Sequence, residues 1–335
     1  MAAEMAEQPD ALARLLARAP ADAQRVAQVL PRPFAGTVFL ARGSSDNAAV
    51  FGRYLAELCS GRPAGLAAPS IHTRYKADVD YSGYLAVALS QSGATPEIVE
   101  TATRMRRSGA VVVSITNEAG SPLTQVSDLT LLTEAGPELA VPATKTVTAQ
   151  MLAVAAIAAA CDPSLVSVAG LEALPGAVAS LVADPAPAEE VAARWLQARR
   201  LVVTGRGLAY AAALETALKI KETARVHAEG LSSADLLHGP IAALDSHLPV
   251  LIVSGGDRFA TDEAALAARL TAETVPYAVC GSVPGADLPL PAGASEVTAP
   301  ILATVRGQQL ALAASLLRGL DPDAPTGLSK VTATH

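Results

Sequence analysis

Three groups of residues in this chain have types and spacings that could do chemistry. The first is Ser90-Gln91-Ser92-Gly93-Ala94-Thr95-Pro96-Glu97, which follows the apolar run Tyr84 to Leu89 and precedes Ile98 to Met105, whose spacing suits a helix. A buried strand, a polar turn and a helix N-terminus make an anion cradle, because backbone N–H groups and the helix dipole face the turn. Ser90, Ser92 and Thr95 add hydroxyl donors, Gln91 adds an amide, Gly93 lets the backbone approach closely, and Pro96 suits a first helical turn. A small phosphorylated ligand fits best. The turn matches neither G-x-x-x-x-G-K-[ST] nor G-x-G-x-x-G, so a nucleotide is not implied. An ordinary capped helix after a buried strand would read the same way.

The second group is Glu215, Lys219 and Glu222, at i, i+4 and i+7 of a helical stretch, where Lys219 can reach both carboxylates. Such a lysine holds a carboxylate in place for general-base work, although a solvated, salt-bridged face has the same pattern. The third comprises His238, set in a turn by Gly239 and Pro240, and Lys330, in a tail from Asp321 to Val331 without hydrophobic period. An exposed histidine suits acid-base work, and a lysine near a sugar phosphate can neutralise charge or form a Schiff base with a ketone. A plain loop histidine and a solvated tail lysine are the competing accounts.

The elements that must position these groups read as a repeated βα unit. Residues 8 to 30 carry apolar positions at helical spacing, interrupted near Pro20, and predict two leading helices. Strands are predicted at Thr37 to Ala41, Leu85 to Leu89, Val111 to Asn117 and Leu129 to Leu132, with helices at Ala48 to Leu58 and Thr144 to Ala160. Pro163 to Pro187 is Ala/Pro-rich and reads as an interdomain connection. The pattern then restarts at Leu201-Val202-Val203-Thr204-Gly205-Arg206-Gly207, with Arg206 placed 164 positions after Arg42. Strands at Pro249 to Val253 and Tyr277 to Cys280 continue the second copy. In that copy Ser254-Gly255-Gly256-Asp257 lacks the hydroxyl-rich cradle and gains an acid, so only the first copy is expected to hold phosphate. The fold class is α/β, two copies of a parallel sheet with helices on both faces, whose ligands belong beyond the carboxyl ends of the strands. The expected layout is 1–36 N-terminal helices, 37–162 first domain, 163–199 linker and helix, 200–320 second domain and 321–335 tail.

Composition restricts the partners. The 335 residues are 51% hydrophobic, 17% charged and 3% aromatic, which argues for extensive burial rather than disorder. A net charge of −7 provides no footprint for nucleic acid or an anionic membrane, so a phosphate site must be locally positive. Met1-Ala2-Ala3-Glu4 places an acid where a signal peptide needs bases, and Met151 to Cys161 is too short to span a bilayer. Cys59, Cys161 and Cys280 lie far apart without CxxC spacing, as expected of free thiols in a reducing cytoplasm. The five histidines have no metal-ligand spacing, so no metal is expected.

The chain resembles the tandem sugar-isomerase (SIS) domains of glucosamine-6-phosphate synthases. The resemblance is carried by Ser90 to Thr95, Ala140-Val141-Pro142-Ala143-Thr144-Lys145, Ala217 to Glu222, His227-Ala228-Glu229 and His238-Gly239-Pro240, and runs from about Thr37 to Val331. It is still closer to the SIS-type glucosamine-6-phosphate deaminases, through Arg42-Gly43-Ser44-Ser45-Asp46, Ala68-Pro69-Ser70, Ser232-Ser233-Ala234, Leu237 to Pro240, and the tail with Pro322-Asp323, Pro325, Gly327-Leu328 and Lys330-Val331-Thr332.

The resemblance implies two five-stranded, doubly wound, flavodoxin-like sheets, the first binding the phosphosugar and the second bearing the catalytic helix and histidine loop. It implies that Ser45, Ser90, Gln91, Ser92 and Thr95 bind the phosphate and nearby hydroxyls, that the backbone at Val141 and Ser329 lines the sugar, and that Glu138 touches it. Glu222 would move a proton between carbons 1 and 2, Lys219 would orient it, His238 lent by a partner subunit of a homodimer would open the ring, and Lys330 would contact or form an imine with the ketose.

The synthases need a glutaminase domain with a cysteine directly after the initiator Met. Ala2 stands there and the first cysteine is Cys59, so glutamine hydrolysis is not expected and deamination of glucosamine 6-phosphate to fructose 6-phosphate and ammonia is. No cofactor is expected, because the aldose-ketose shift is internal acid-base chemistry. Around His238, Ala234, Asp235 and Leu237 replace the Gly, Glu and Lys usual in the synthases, which leaves open how the histidine is held. An aldose-ketose or aminotransferase-type isomerase on another sugar phosphate, a deaminase for galactosamine or a fructose-amine phosphate, and a sugar-phosphate sensor are the alternatives. The sensor would require an effector segment such as a basic helix-turn-helix, of which the sequence has no sign.

Overall fold

Runs of Val, Leu, Ile and Ala with no polar face form strands covered on both sides, and each feeds a Gly- or Ser-containing turn and a helix. A computed structural model of the protein describes residues 1–162 and 164–330. Pro163 at the head of the expected linker, and Val331 and Thr332 of the tail motif, lie outside the described residues. The chain divides into two compact units that do not follow sequence order: Asp10–Glu138 with Lys145–Ala173, and Met1–Pro9 with Leu139–Thr144 and Leu174–Lys330.

The unit of the first sheet contains strands β1 (Gly36–Leu40), β2 (Ala64–Leu66), β3 (Tyr84–Leu89), β4 (Val111–Thr116) and β5 (Leu129–Leu132). They pair in parallel in the order β2-β1-β3-β4-β5, with Phe39 opposite Val87 and Val87 opposite Val113. Chain order reverses between β1 and β3, the switch point at which doubly wound sheets open a crevice beyond their strand ends. In chain order, α1 (Ala2–Ala6) and α2 (Gln8–Val29) precede β1, and α3 (Ser44–Ser60), α4 (Pro69–Thr73), α5 (Pro96–Arg107), α6 (Pro122–Gln125) and α7 (Lys145–Cys161) follow. Pro20 does not divide the leading segment as expected. It lies inside the continuous α2, because Leu12, Leu15, Ala19 and Val26 are buried on both sides of it and outweigh one missing backbone bond; the break falls at Glu7 instead.

In the other unit α8 (Leu174–Val182) and the start of α9 (Ala186–Arg194) fall within the stretch that reads as a connection, with Leu174, Val178, Leu181, Val191 and Ala192 buried. Strands β6 (Arg200–Gly205), β7 (His227–Ser232), β8 (Val250–Val253), β9 (Tyr277–Gly281) and β10 (Leu288–Pro289) form a second parallel sheet, ordered β10-β9-β8-β6-β7. Read from its other edge it has the topology of the first. Helices α10 (Ala209–Ala224), α11 (Ser233–Leu237), α12 (Ala260–Ala272) and α13 (Thr298–Leu317) complete the unit. Two parallel five-stranded α/β layers are the expected fold class. Among the described residues no helix is long and apolar enough to cross a membrane, and no cluster of three His, Cys, Asp or Glu side chains is placed to hold a metal ion.

Candidate active site

The candidate phosphate cradle lies where the parallel neighbours β1 and β3 end. Ser45 is buried in the first turn of α3, whose N-cap is Gly43, and Ser90 is buried at the end of β3. The turn after β3 is fixed by its backbone: the Gly93 N–H donates to Ser90 O at 3.2 Å, the Asn117 N–H donates to Gln91 O at 3.0 Å, and the Ala94 N–H donates to Ser92 Oγ at 3.3 Å. Ser90 Oγ and Thr95 Oγ1 stand 3.5 Å apart. Neither α3 nor α5 has a side-chain cap, so, although Pro96 at the start of α5 has no N–H to offer, no cap side chain takes up the first-turn N–H groups of either helix. That is the chemistry an anion requires.

Three charged residues to which the sequence reading assigned no role in the site, Arg42, Asp46 and Glu97, belong to the first turns after β1 and β3. Arg42 donates from Nε to Glu97 Oε2 at 3.1 Å, joining the turn after β1 to the first turn of α5. Burial holds the Asp46 carboxyl above its ordinary value, with the Arg42 guanidinium pulling the other way. Glu138, expected to touch the sugar, is buried with its carboxylate accepting the Thr146 N–H at 3.1 Å and the Thr146 hydroxyl at 2.7 Å, so it caps α7.

In the other unit, α10 is an Ala-rich helix buried along most of its length, and it presents Glu215, Lys219 and Glu222 as their spacing predicts. Lys219 has no exposed surface; its Nζ bonds Glu222 Oε2 and lies 3.6 Å from Glu215 Oε1. Glu215 is 2% exposed and Glu222 21%, which makes Glu222 the carboxylate that a ligand can reach. Close packing fixes the helix: a Cβ on Gly307 of α13 would fall 2.0 Å from Thr216 Oγ1, and the Thr223 hydroxyl donates to Ala311 O at 3.1 Å.

His238 follows α11 as its C-terminal cap, exposed, with its N–H donating to Asp235 O at 3.0 Å. The Ser232 hydroxyl accepts the Asp235 N–H at 3.1 Å and caps α11, which gives one account of how the histidine loop is held without the usual Gly, Glu and Lys. Val141 is in the same unit and donates its N–H to Asp323 O at 2.9 Å, tying the loop 139–144 to the tail. Ser329 is exposed and Lys330 half-buried at the end of that tail.

The second cradle differs from the first in one telling way. After β8 the Ser254 hydroxyl and the Gly255 N–H both donate to the Glu263 carboxylate, each at 2.7 Å. The position that is open in the first sheet is filled here by the protein's own anion. The acid responsible is Glu263 of α12, not the Asp257 to which the sequence draws attention.

The sequence pattern of the SIS domain matches residues 37–160 and 196–285. The chain belongs to the SIS domain family. Across 98% of its length it is 32% identical to glutamine–fructose-6-phosphate aminotransferase [isomerizing] of Mycobacterium leprae, and it spans 57% of that protein, as of several other curated relatives. A crystal structure from Silicibacter pomeroyi DSS-3, assigned as a phosphosugar isomerase, is 35% identical with a TM-score of 0.87, covering 96% of this chain and 99% of that one. Glucosamine-6-phosphate deaminase of Thermotoga maritima shares the SIS fold, with a TM-score of 0.72 and 21% identity over 96% of this chain and 99% of its own. The first SIS match spans the first sheet from Thr37 onward, and the second spans β6 to β9 of the second sheet and ends before β10.

Proposed function

We propose that the protein is an amino-sugar phosphate deaminase that converts glucosamine 6-phosphate and water to fructose 6-phosphate and ammonia. The observation that carries the reading is the triad on α10. A buried lysine holds a single reachable carboxylate, Glu222, which is what a base moving a proton between adjacent carbons requires. The uncapped cradle of Ser45, Ser90, Gln91, Ser92 and Thr95 suits the phosphate end, and the names of the relatives point to a hexose phosphate.

In this mechanism His238 helps open the pyranose ring. Glu222 takes the proton from carbon 2 and returns it to carbon 1, which turns the open-chain aldose amine into a ketose imine. Water adds to carbon 2 of the imine and ammonia leaves, so atoms and charge balance without a redox step. Water greatly outnumbers free ammonia, which is mostly ammonium near neutrality, and this drives the imine toward hydrolysis. Lys330 contacts the ketose, and the exposed position of His238 suits donation to a partner subunit in a homodimer. The same proton shift without loss of nitrogen would be a plain phosphosugar isomerisation, the reading favoured by the name of the Silicibacter relative.

The test is ammonia and fructose 6-phosphate release from glucosamine 6-phosphate, with the galactosamine analogue in parallel. Equal amounts of both products are expected. Glu222→Gln is expected to lose at least about a thousandfold in turnover while still binding fructose 6-phosphate. Binding without ammonia release in the wild type would overturn deamination.

A further inference from the structure

The first nine residues belong to the compact unit of the second sheet, together with the loop 139–144. Helix α1 packs against α8 and α13, and Met5 is 4% exposed. From this anchored helix the buried Glu4 reaches the loop: its Oε1 accepts the N–H of Leu139 and, at 3.0 Å, the N–H of Ala140. The next N–H, of Val141, donates to Asp323 O at 2.9 Å, and the loop ends at Thr144, whose carbonyl accepts from Gln308 Nε2 of α13 at 3.1 Å. The loop is therefore pinned at its start, middle and end, and only the first pin uses a charged group. Because the Val141 N–H is already engaged, the backbone group that Val141 can offer a sugar hydroxyl is its carbonyl.

We propose that Glu4 is a positioning residue for the sugar: from α1 it fixes the peptides of Leu139 and Ala140, and with them the plane of the Val141 carbonyl, while touching no substrate itself. The inference rests on the reading that this loop lines a sugar phosphate. Two successive N–H groups aimed at one carboxylate oxygen form a charge-assisted clamp, stronger than neutral bonds and intolerant of a shortened side chain. Inorganic phosphate carries no sugar hydroxyl to donate to the Val141 carbonyl, whereas fructose 6-phosphate does.

The experiment compares wild type, Glu4→Ala and Glu4→Gln for calorimetric binding of fructose 6-phosphate and of inorganic phosphate, with hydrogen exchange at residues 139–141. Glu4→Ala is expected to weaken fructose 6-phosphate about tenfold, leave inorganic phosphate within about twofold, and speed exchange at the two amides. In ammonia release KM rises by a similar factor while kcat changes less than about threefold. Glu4→Gln, which keeps an amide oxygen, falls between, and it carries the test alone if Glu4→Ala does not fold. Unchanged fructose 6-phosphate binding, or equal weakening of both ligands, overturns the proposal. A wild type that binds fructose 6-phosphate but releases no ammonia overturns the deaminase reading only, since Glu4 is then judged by the ratio of the two affinities. A wild type that binds neither ligand overturns both.

Discussion

A lysine without exposed surface is held in a protein interior only by the carboxylates around it, because an unpaired buried charge costs far more than the pair gains over two apolar groups. Lys219 has Glu222 on one side and the 2%-exposed Glu215 on the other. Lys219→Met removes the cation 3.6 Å from the buried Glu215, and urea unfolding should show a loss of about 3 kcal/mol. Adding Glu215→Gln to that variant should recover at least about 1 kcal/mol; strict additivity of the two changes would show that the pair is not coupled. His72, on α4, behaves differently, since its Nε2 stands 3.0 Å from the Tyr81 hydroxyl. Burial, aided by the Arg104 charge, holds its ring below its ordinary value of 6.5, so the folded state favours neutral imidazole. Below pH 6.5 the unfolded chain takes up a proton that the folded ring refuses, and stability falls as pH drops from there toward the folded value. Above pH 6.5 this contribution is full and flat. Unfolding free energies measured from pH 5 to 8 should show the decline in wild type and a shallower one in His72→Asn.

At the scale of elements, the two sheets carry the same device at equivalent places. Arg42 pairs with Glu97 in one and Arg206 with Asp262 in the other, at 3.0 and 2.5 Å, each joining the turn after a first strand to the helix after the next. Since the second pair stands beside a turn whose hydroxyl and amide already donate to Glu263, the pairing serves the fold, and on the proposed function phosphate specificity would rest on the amides and hydroxyls of the first. Gly93 is where that openness is most exposed to change. Its φ is +58°, and an added Cβ would lie 2.1 Å from Ser121 Oγ and 2.9 Å from Thr116 Oγ1. Gly93→Ala should therefore lower stability by about 2 kcal/mol or more and abolish binding of inorganic phosphate, measured by thermal unfolding and calorimetry. A variant that still bound phosphate at the wild-type affinity would show that the turn does not form the cradle. The strands that the sequence conceals are all edges: β2, β7 and β10. Central strands announce themselves because both faces are buried, whereas β7 alternates exposed His227 and Glu229 with buried Ala228 and ends in half-buried Gly230, Leu231 and Ser232, so it has no continuous apolar run to mark it. For the same reason the spacing of Glu215, Lys219 and Glu222 was legible on one helix, but Glu4 against residues 139 and 140 was not, because no local pattern links positions 135 and 136 residues apart.

For the whole molecule, the decisive question is whether one chain suffices for catalysis. Glu222 belongs to a rigid, buried helix, whereas His238 lies at the exposed end of a five-residue one, beside Leu237, which is itself 44% exposed. On the proposed function, an acid-base histidine displayed next to an exposed leucine suits a surface that a second copy covers. If His238 of one subunit completes the site that contains Glu222 of the other, two inactive variants must rescue each other. In a dimer of one Glu222→Gln chain and one His238→Ala chain, one site has lost both groups and the other retains both. Random mixing makes half the dimers mixed, so about a quarter of wild-type ammonia release should return after the variants are unfolded and refolded together. Each variant refolded alone should stay inactive. If both groups act within one chain, every site in the mixture lacks one of them and no activity returns, although dimers form normally by sedimentation.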